Sequence, residues 1–197
     1  MSDISETIQE AVEKAREADS RLNSVIAALV AVAATFMALC NVKDGNIVQG
    51  MQQAQAKSID QWSYYQSKGT KLNMSENALD QLTLQKAITP SAAALIDGRI
   101  AVYQKQIEKY RREKDDIRKI AEASQKEYDA LNFHDDQFDM SDACLSVAIA
   151  LFGITALTKK RWLIVLACAF MLLGVVFGLS GFFGWKIHPD FFARWLS

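Results

Sequence analysis

Three stretches of the chain are almost purely apolar, and this pattern predicts helices that span a membrane. Their bounds are residues 22–42, 141–158 and 162–185. A transmembrane helix needs about 20 apolar residues, with roughly 17–25 tolerated. The third stretch fits best, because Trp162 and Trp185 bracket it as interfacial anchors. The second stretch is the shortest, so a re-entrant or interfacial segment is the alternative there.

The polar segment between the first two spans, residues 43–140, has a heptad periodicity in its later half. Seam positions recur at alternating steps of four and three, and nine of the eleven are apolar or aromatic. The intervening residues are mainly charged or amides, which is the pattern of a coiled coil or a long helical bundle. The seam consists of Ile96, Ile100, Tyr103, Ile107, Tyr110, Lys114, Ile117, Ala121, Ser124, Tyr128 and Leu131.

The earlier half of the segment carries a weaker seam that loses phase around Glu76. It consists of Val48, Met51, Gln55, Ser58, Trp62, Tyr65, Gly69 and Leu72. Residues 89–91 are the natural turn between the halves, because Pro90 cannot continue a helix and Ser91 can cap the next one. The sequence therefore predicts an all-α membrane protein, in which three transmembrane helices carry a long extramembrane antiparallel coiled-coil helical hairpin between spans one and two.

Both ends of the chain are predicted to be helical or interfacial. Residues 1–21 form an amphipathic N-terminal helix with Ile4, Ile8 and Val12 on one side, and its six acids outnumber its three bases. That balance is wrong for a signal peptide and poor for binding anionic lipid, so we expect an extension of the first span or a partner-binding helix. Residues 186–197 are an interfacial tail, and His188 within it is expected to be interfacial rather than catalytic.

The distribution of short basic flanks predicts the orientation. The turn Lys159-Lys160-Arg161 between spans two and three should stay in the cytoplasm. With three spans, the N-terminus is then cytoplasmic, while the hairpin and the C-terminus are periplasmic.

Composition excludes several classes of function. The net charge is −1 with mixed signs, so nucleic acid is not an expected partner. Apart from Asp142, in the first turn of the second span, the spans contain no charged residue or histidine of the kind that transporters and proton relays use. Cys40, Cys144 and Cys168 form no CxxC pair, which excludes a disulfide scaffold or zinc site. Cys40 and Cys144 could pair at equal depth, but small buried hydrophobes are the favoured interpretation.

One acidic set is the only concentrated group of metal-ligand residue types. It consists of His134, Asp135, Asp136, Asp139 and Asp142. Hard cations prefer oxygen ligands, but the spacing is not that of an EF-hand. The favoured interpretation is an acidic collar, with Asp139 or Ser141 capping the second span. No catalytic, cofactor or metal site is expected, and the protein is predicted not to be an enzyme.

Candidate packing residues are plentiful instead. Small residues let helices approach closely in lipid, and they form stripes in the first span (Ala27, Ala31, Ala34) and the third (Gly174, Gly178, Gly181). Two helices alone leave the hairpin's aromatic side chains partly exposed, so self-association is expected, with a monomeric hairpin as the alternative. The hairpin candidates are Trp62, Tyr65, Ile100, Tyr103, Ile107, Tyr110 and Ile117.

Residues 34–38 (ATFMA), 43–55 (KDGNIVQGMQQAQ) and 62–68 (WSYYQSK), followed by two C-terminal spans, resemble a bacterial inner-membrane family, domain of unknown function 4337. The resemblance implies one span, a helical hairpin and two more spans, and brings no known activity. The leading hypothesis is a non-enzymatic oligomeric membrane scaffold without a cofactor. Its partners would be the lipid bilayer, further copies of the chain and an envelope protein. The alternative is an oligomeric pore or channel-like protein.

Overall fold

The structure is a computed structural model that describes residues 2–185 and residue 187, with side chains described for residues 13, 14, 16, 17, 19–185 and 187. The described residues are 97% helical and contain no strand, which confirms the all-α prediction. The elements are α1 (Ser2–Ile88), a 3₁₀ turn (Pro90–Ala92), α2 (Ala93–Thr158) and α3 (Arg161–Phe183). The predicted tail, with His188, lies outside the described residues except for Ile187.

Each of the three helices contains a segment that is long and apolar enough to cross a membrane. The predicted N-terminal helix, first span and first hairpin arm are all parts of the uninterrupted α1. No proline occurs before Pro90, and isolated glycines do not stop a helix whose other residues support it. The side chains of Ile4, Ile8 and Val12, which defined the amphipathic face, are outside the described part.

Two predicted helix caps are wrong. Ser91 lies inside the 3₁₀ turn that Pro90 opens, and α2 begins only at Ala93, so Ser91 is one residue too early to be its N-cap. Asp139 and Ser141 cap nothing, because α2 runs through both positions without a break. A cap serves the free N–H groups at a helix start, and no start exists at that point.

Residues 1–48 and 131–197 cluster into one unit, here called unit 1. In its described part, Ile26, Ala33, Cys40 and Ile47 recur every seven residues on the buried face of α1. Ile26 packs with Ala148, Phe152 and Ala167 in an apolar core. The connection between α2 and α3 is two residues long, and Lys159 takes a left-handed conformation with φ of 60°. Gly184 ends α3 with φ of 67°.

Residues 49–130 form the second cluster, unit 2. Three ion pairs fix the direction of its two segments: Lys86 with Asp97, Glu76 with Arg111, and Lys68 with Glu113. As the first number of each pair falls the second rises, so the segments run antiparallel. The turn between them lies at residues 89–92, as the proline predicted.

The buried seam of the first segment differs from the predicted one. Gln55 and Trp62 are exposed, although both were placed on the seam. Observed seam positions, buried or half-buried, follow steps of three and four without loss of phase: Met51, Ala54, Ser58, Gln61, Tyr65, Lys68, Leu72, Ser75, Leu79, Leu82 and Lys86. The predicted seam lost phase at Glu76 because it included Trp62 for its large indole ring. Smaller and polar side chains occupy the observed seam instead.

Candidate functional site

Three glycines of α3 form close contacts with the other helices of unit 1. A Cβ atom added at Gly174 would lie 2.7 Å from Leu145 Cγ, and one at Gly178 would lie 2.7 Å from a ring carbon of Phe36. At Gly181 it would lie 2.7 Å from the Phe138 ring. Each glycine therefore accommodates a large side chain from α1 or α2, and this stripe packs within a single chain.

Ser141 joins α2 to α3 at the centre of this contact. Its Oγ donates a hydrogen bond of 2.8 Å to the carbonyl oxygen of Gly174 and lies 3.8 Å from Cys40 Sγ. Helices without glycine at this point could not approach closely enough for a serine side chain to reach a main-chain carbonyl. The sequence pattern indicated only a helix cap at Ser141 and gave no sign of this contact with α3.

The alanine stripe of α1 behaves differently from the glycine stripe. Ala27, Ala31 and Ala34 are exposed in the single chain, while the neighbouring Ala33 is fully buried. The inward face of α1 is therefore offset from the stripe by part of a turn. The packing in unit 1 uses one predicted small-residue stripe and leaves the other uncovered.

An acidic cluster lies at one end of the apolar segments and contains a member that the sequence analysis missed. Asp44 of α1 shares a hydrogen bond with Asp135 of α2, and Asp139 and Asp142 add negative charge next to it. The positions of these residues in the sequence could have revealed the cluster. Asp44 comes just after the first apolar segment, and Asp135 and Asp139 come just before the second. Two consecutive antiparallel helices bring such positions to the same end.

The pKa values in this cluster are displaced upward. Burial is the main cause for Asp135, whose pKa rises to about 6 with further contributions from Asp44 and Asp136. Burial also raises the pKa of Asp44, although its hydrogen bond with Asp135 acts in the opposite direction. Burial and the neighbouring carboxylates together raise the pKa of Asp139. The Oδ1 atoms of Asp44 and Asp142 are buried and accept no hydrogen bond from the described residues. Asp44 and Asp135 can therefore share a proton under mildly acidic conditions.

The positions of the acidic side chains also show whether they could hold a metal ion together. Among the described residues, no three histidine, cysteine, aspartate or glutamate side chains converge as metal ligands would. His134 instead faces Gln137 at 3.2 Å, and Gln137 donates hydrogen bonds to the carbonyl oxygens of Trp185 and Ile187. All three cysteines are free thiols, so Cys40 and Cys144 do not form a disulfide.

A buried lysine is the unexpected feature of unit 2. Lys68 Nζ lies 2.5 Å from Glu113 Oε2, and the Lys68 side chain is only 10% exposed. The hydrogen bond to Glu113 raises the pKa of Lys68 and lowers that of Glu113. The ammonium group of Lys68 also lies over the rings of Tyr64 and Tyr110, at 5.1 and 5.4 Å from their centroids. A lysine at a seam position appears in the sequence as a break in the pattern, so it escaped prediction.

The remaining hairpin candidates lie along this seam with different exposures. Ile107 and Ile117 are buried, while Tyr65, Ile100, Tyr103 and Tyr110 are half-buried. Lys114 Nζ lies 4.6 Å from the Tyr65 ring centroid and 3.7 Å from a Cβ atom placed on Gly69. Trp62 lies outside the seam, 37% exposed, with its ring edge-on to Tyr65 at 5.4 Å.

Comparison with known proteins identifies a family but no described relative. The model of the family called domain of unknown function 4337 matches residues 22–184, which include the apolar parts of all three helices and the whole of unit 2. No curated protein and no solved structure matches the chain. The chain therefore belongs to the family described as domain of unknown function 4337.

Proposed function

We propose that this protein is a non-enzymatic membrane scaffold whose hairpin, residues 43–140, extends outside the lipid as an antiparallel coiled coil and associates with further copies of itself. The three apolar helices anchor it in the bilayer. An envelope protein is a further candidate partner. The proposal includes no cofactor, and metal analysis of the purified protein is its direct check.

The observation that carries the proposal is apolar surface left uncovered in unit 2. Leu84, Ile88 and Leu95 are 67%, 81% and 78% exposed, next to the turn. Ile59, Met74 and Val102 are exposed further along. Leu84 and Ile88 are about one helical turn apart, and Leu95 and Val102 about two turns, so each pair shares a helix face. Uncovered apolar groups in water favour association.

The composition of the seam supports the same conclusion. Much of the first segment's seam consists of Ala54, Ser58, Gln61, Lys68 and Ser75. These residues bury little apolar area, and hydrophobic stabilisation scales with that area at roughly 25 cal/mol per Å². A two-helix hairpin of this composition gains little from that side of its seam, and covering its outer apolar side chains against a second copy would add to the gain.

The mass of the full chain in detergent tests this proposal. We expect the parent to be an oligomer by light scattering, and Leu84→Gln with Leu95→Gln to shift it toward smaller species. Ala87→Gln is the matched control, since it changes an exposed position between them without removing a large apolar group. A parent that is a monomer, or an oligomer that the double variant leaves intact, would rule out assembly through this surface.

An oligomeric pore is the second candidate, and the exposed stripe of Ala27, Ala31 and Ala34 favours it. In lipid, such a stripe supports close contact between helices of different copies. Ala31→Leu should then disrupt the oligomer, while the double variant near the turn leaves it unchanged. Ion conductance of the parent in planar bilayers separates the pore from the scaffold.

The proposed location is the bacterial inner membrane, with a cytoplasmic N-terminus and a periplasmic hairpin and C-terminus. The basic turn of Lys159, Lys160 and Arg161 supports this orientation. Protease added to spheroplasts should cut within residues 43–140 and leave that turn intact. Cleavage at the turn from outside would reverse the orientation.

A further inference from the structure

An open cavity of about 390 Å³ lies in unit 1, where α1 approaches the connection between α2 and α3. Its size falls in the ~300–1,000 Å³ range of small-molecule sites. Six residues line it: Asp19, Arg21, Leu22, Val25, Lys159 and Arg161. We call this cavity the basic pocket.

The charges of the basic pocket do not cancel. Three cationic side chains face one carboxylate, and Lys159 Nζ pairs with Asp19 Oδ2 at 2.8 Å. Arg21 and Arg161 have no acidic partner among the residues that line the pocket. The first turn of α3 contains no acidic residue, and its N-cap, Lys160, makes no side-chain cap hydrogen bond. The positive end of that helix therefore adds to the pocket's positive potential.

The other wall of the pocket is apolar and exposed. Leu22 and Val25 continue into the apolar segment of α1, and Val25 is 57% exposed. Trp162, next to the pocket residue Arg161, is 63% exposed and suited to the boundary between lipid and water. Cations and an apolar wall in one cavity match an amphipathic ligand that carries a negative head on a hydrocarbon body.

We infer that the basic pocket binds the phosphate group of an anionic phospholipid, with Arg21, Lys159 and Arg161 as the phosphate-contacting residues and Val25 against an acyl chain. Arginine offers several N–H donors in a planar arrangement that matches phosphate oxygens. Asp19 competes with the phosphate for Lys159 and lowers the affinity of the site.

A basic turn could also act only as a topological signal, and Lys160 separates the two explanations. Lys160 contributes the same charge to the same turn but does not line the pocket. A diffuse attraction to an anionic surface would depend equally on Lys159 and Lys160. A built site depends on Lys159 and is indifferent to Lys160.

The test is native mass spectrometry of the full chain in detergent, titrated with phosphatidylglycerol or with phosphatidylcholine of the same acyl chains. A basic residue near an anionic lipid contributes about 1 kcal/mol, or roughly fivefold in affinity. We expect phosphatidylglycerol to bind at least about fivefold more tightly than phosphatidylcholine. Arg21→Gln and Lys159→Gln should each weaken phosphatidylglycerol by about fivefold, and Lys160→Gln by less than about twofold.

Asp19→Asn gives a gain-of-binding test that does not depend on a damaged variant. It frees Lys159 and removes the opposing charge, so phosphatidylglycerol should bind about fivefold more tightly. Glycerol 3-phosphate added as a competitor distinguishes a lipid from a soluble phosphate, and it should not displace the lipid at matched concentration.

Three results would overturn the inference. Equal binding of the two lipids would exclude recognition of the headgroup's net negative charge. Equal losses for Lys159→Gln and Lys160→Gln would exclude a built pocket. Displacement by glycerol 3-phosphate would assign the site to a soluble ligand. Lipids are counted per chain, so none of these results depends on whether the protein self-associates.

Discussion

Both units of this chain pack long helices against each other, but they do so with different types of residue. In unit 1, Gly174, Gly178 and Gly181 accept large side chains such as Leu145 and Phe138 into close contact. In unit 2, the seam includes a buried lysine, two buried serines from the same segment and half-buried tyrosines. One unit relies on shape complementarity between apolar groups, and the other on polar and aromatic contacts along a heptad.

The residue types differ because the composition of unit 1 suits lipid and that of unit 2 suits water. In lipid, burying a leucine gains no hydrophobic energy relative to the acyl chains, so close approach and dispersion must hold the helices together. In water, even a thin seam gains from apolar burial, and polar seam residues can fix register at some cost in stability. We therefore expect unit 1 to be sensitive to added volume and unit 2 to added charge.

The largest effect should come from Ile107→Asp. Ile107 is 7% exposed in the seam of unit 2. Truncating a buried isoleucine costs about 2–5 kcal/mol, and an unpaired buried charge adds to that cost. Hydrogen exchange read by mass spectrometry should accelerate across residues 49–130 and stay unchanged in residues 141–183.

Gln106→Asp is the control for that variant, because it places the same charge on an exposed position one residue away. Exchange that accelerates equally in both units would show that they unfold together and would remove the basis of the comparison.

Gly174→Ala tests sensitivity to volume in unit 1. The added Cβ would meet Leu145 Cγ at 2.7 Å and the carbonyl oxygen of Ser141 at 3.1 Å, and Leu145 is fully buried. Overpacking of this kind costs about 1–3 kcal/mol. The thermal unfolding midpoint in detergent should fall. Gly153→Ala, where nothing lies within 4 Å of the added atom, should leave the midpoint unchanged or slightly higher.

A substitution at Gly174 is not a direct probe of oligomer contacts. Since Gly174 packs against α2 of its own chain, bulk there would first damage the single chain. If Gly174→Ala separated oligomers while leaving the midpoint unchanged, the internal packing described for this residue would be wrong.

The acidic cluster should make stability depend on pH. The pKa of Asp135 in the folded state is about 6, above the ordinary value of about 3.9. The folded state therefore binds more protons than the unfolded state between those values, so the free energy of unfolding falls as pH rises from about 4 to 6 and then levels off. A shift of this size corresponds to at most about 3 kcal/mol. Asp135 is only half-buried, and screening by water should reduce the loss to the order of 1 kcal/mol.

Asp135→Asn should flatten that profile and raise stability at pH 8, measured by thermal unfolding in detergent from pH 4.5 to 8. Asp60→Asn, at an exposed position in unit 2, is the control. A parent profile that rises with pH over this range would contradict the shared proton between Asp44 and Asp135.

The smallest effect on stability should come from Lys68→Met. Methionine keeps the unbranched shape of the side chain and most of its length. Glu113 is 34% exposed, so water can solvate the carboxylate that loses its partner. An ion pair with one partner open to water contributes little to stability, so we expect the free energy of unfolding in urea to change by no more than about 1 kcal/mol.

Register is the property that Lys68→Met should change. Spin labels at exposed positions 66 and 119 should give one narrow distance distribution in the parent and a broader one in the variant. Lys71→Met, an exposed lysine one turn away, should leave the distribution narrow. Equal distributions in all three proteins would show that the pair does not set register.

The seam of the second segment of unit 2 was readable from the sequence, while that of the first was readable only in part, at Met51, Ser58, Tyr65 and Leu72. In the second segment, Ile107, Ile117 and Ala121 repeat at heptad spacing, and the structure buries them. In the first, Trp62 looked like a seam residue because it is large and aromatic, yet Lys68 and Ser75 are buried in preference. The burial of Lys68 depends on the facing helix, through Glu113 and Tyr110. A pattern along one helix contains no information about its partner.

The sequence by itself determined the helices, the apolar segments, the turn at Pro90 and the family, because periodicity, length and the missing N–H of proline act locally. Only the tertiary structure decided that the glycine stripe is filled from within the chain while the alanine stripe is left open. It alone brought Asp44 to Asp135, and Arg21 and Arg161 to one cavity. Those outcomes depend on the rotation of each helix against its neighbours, which small residues permit over a wide range and which the packing of Phe36, Phe138 and Leu145 then fixes.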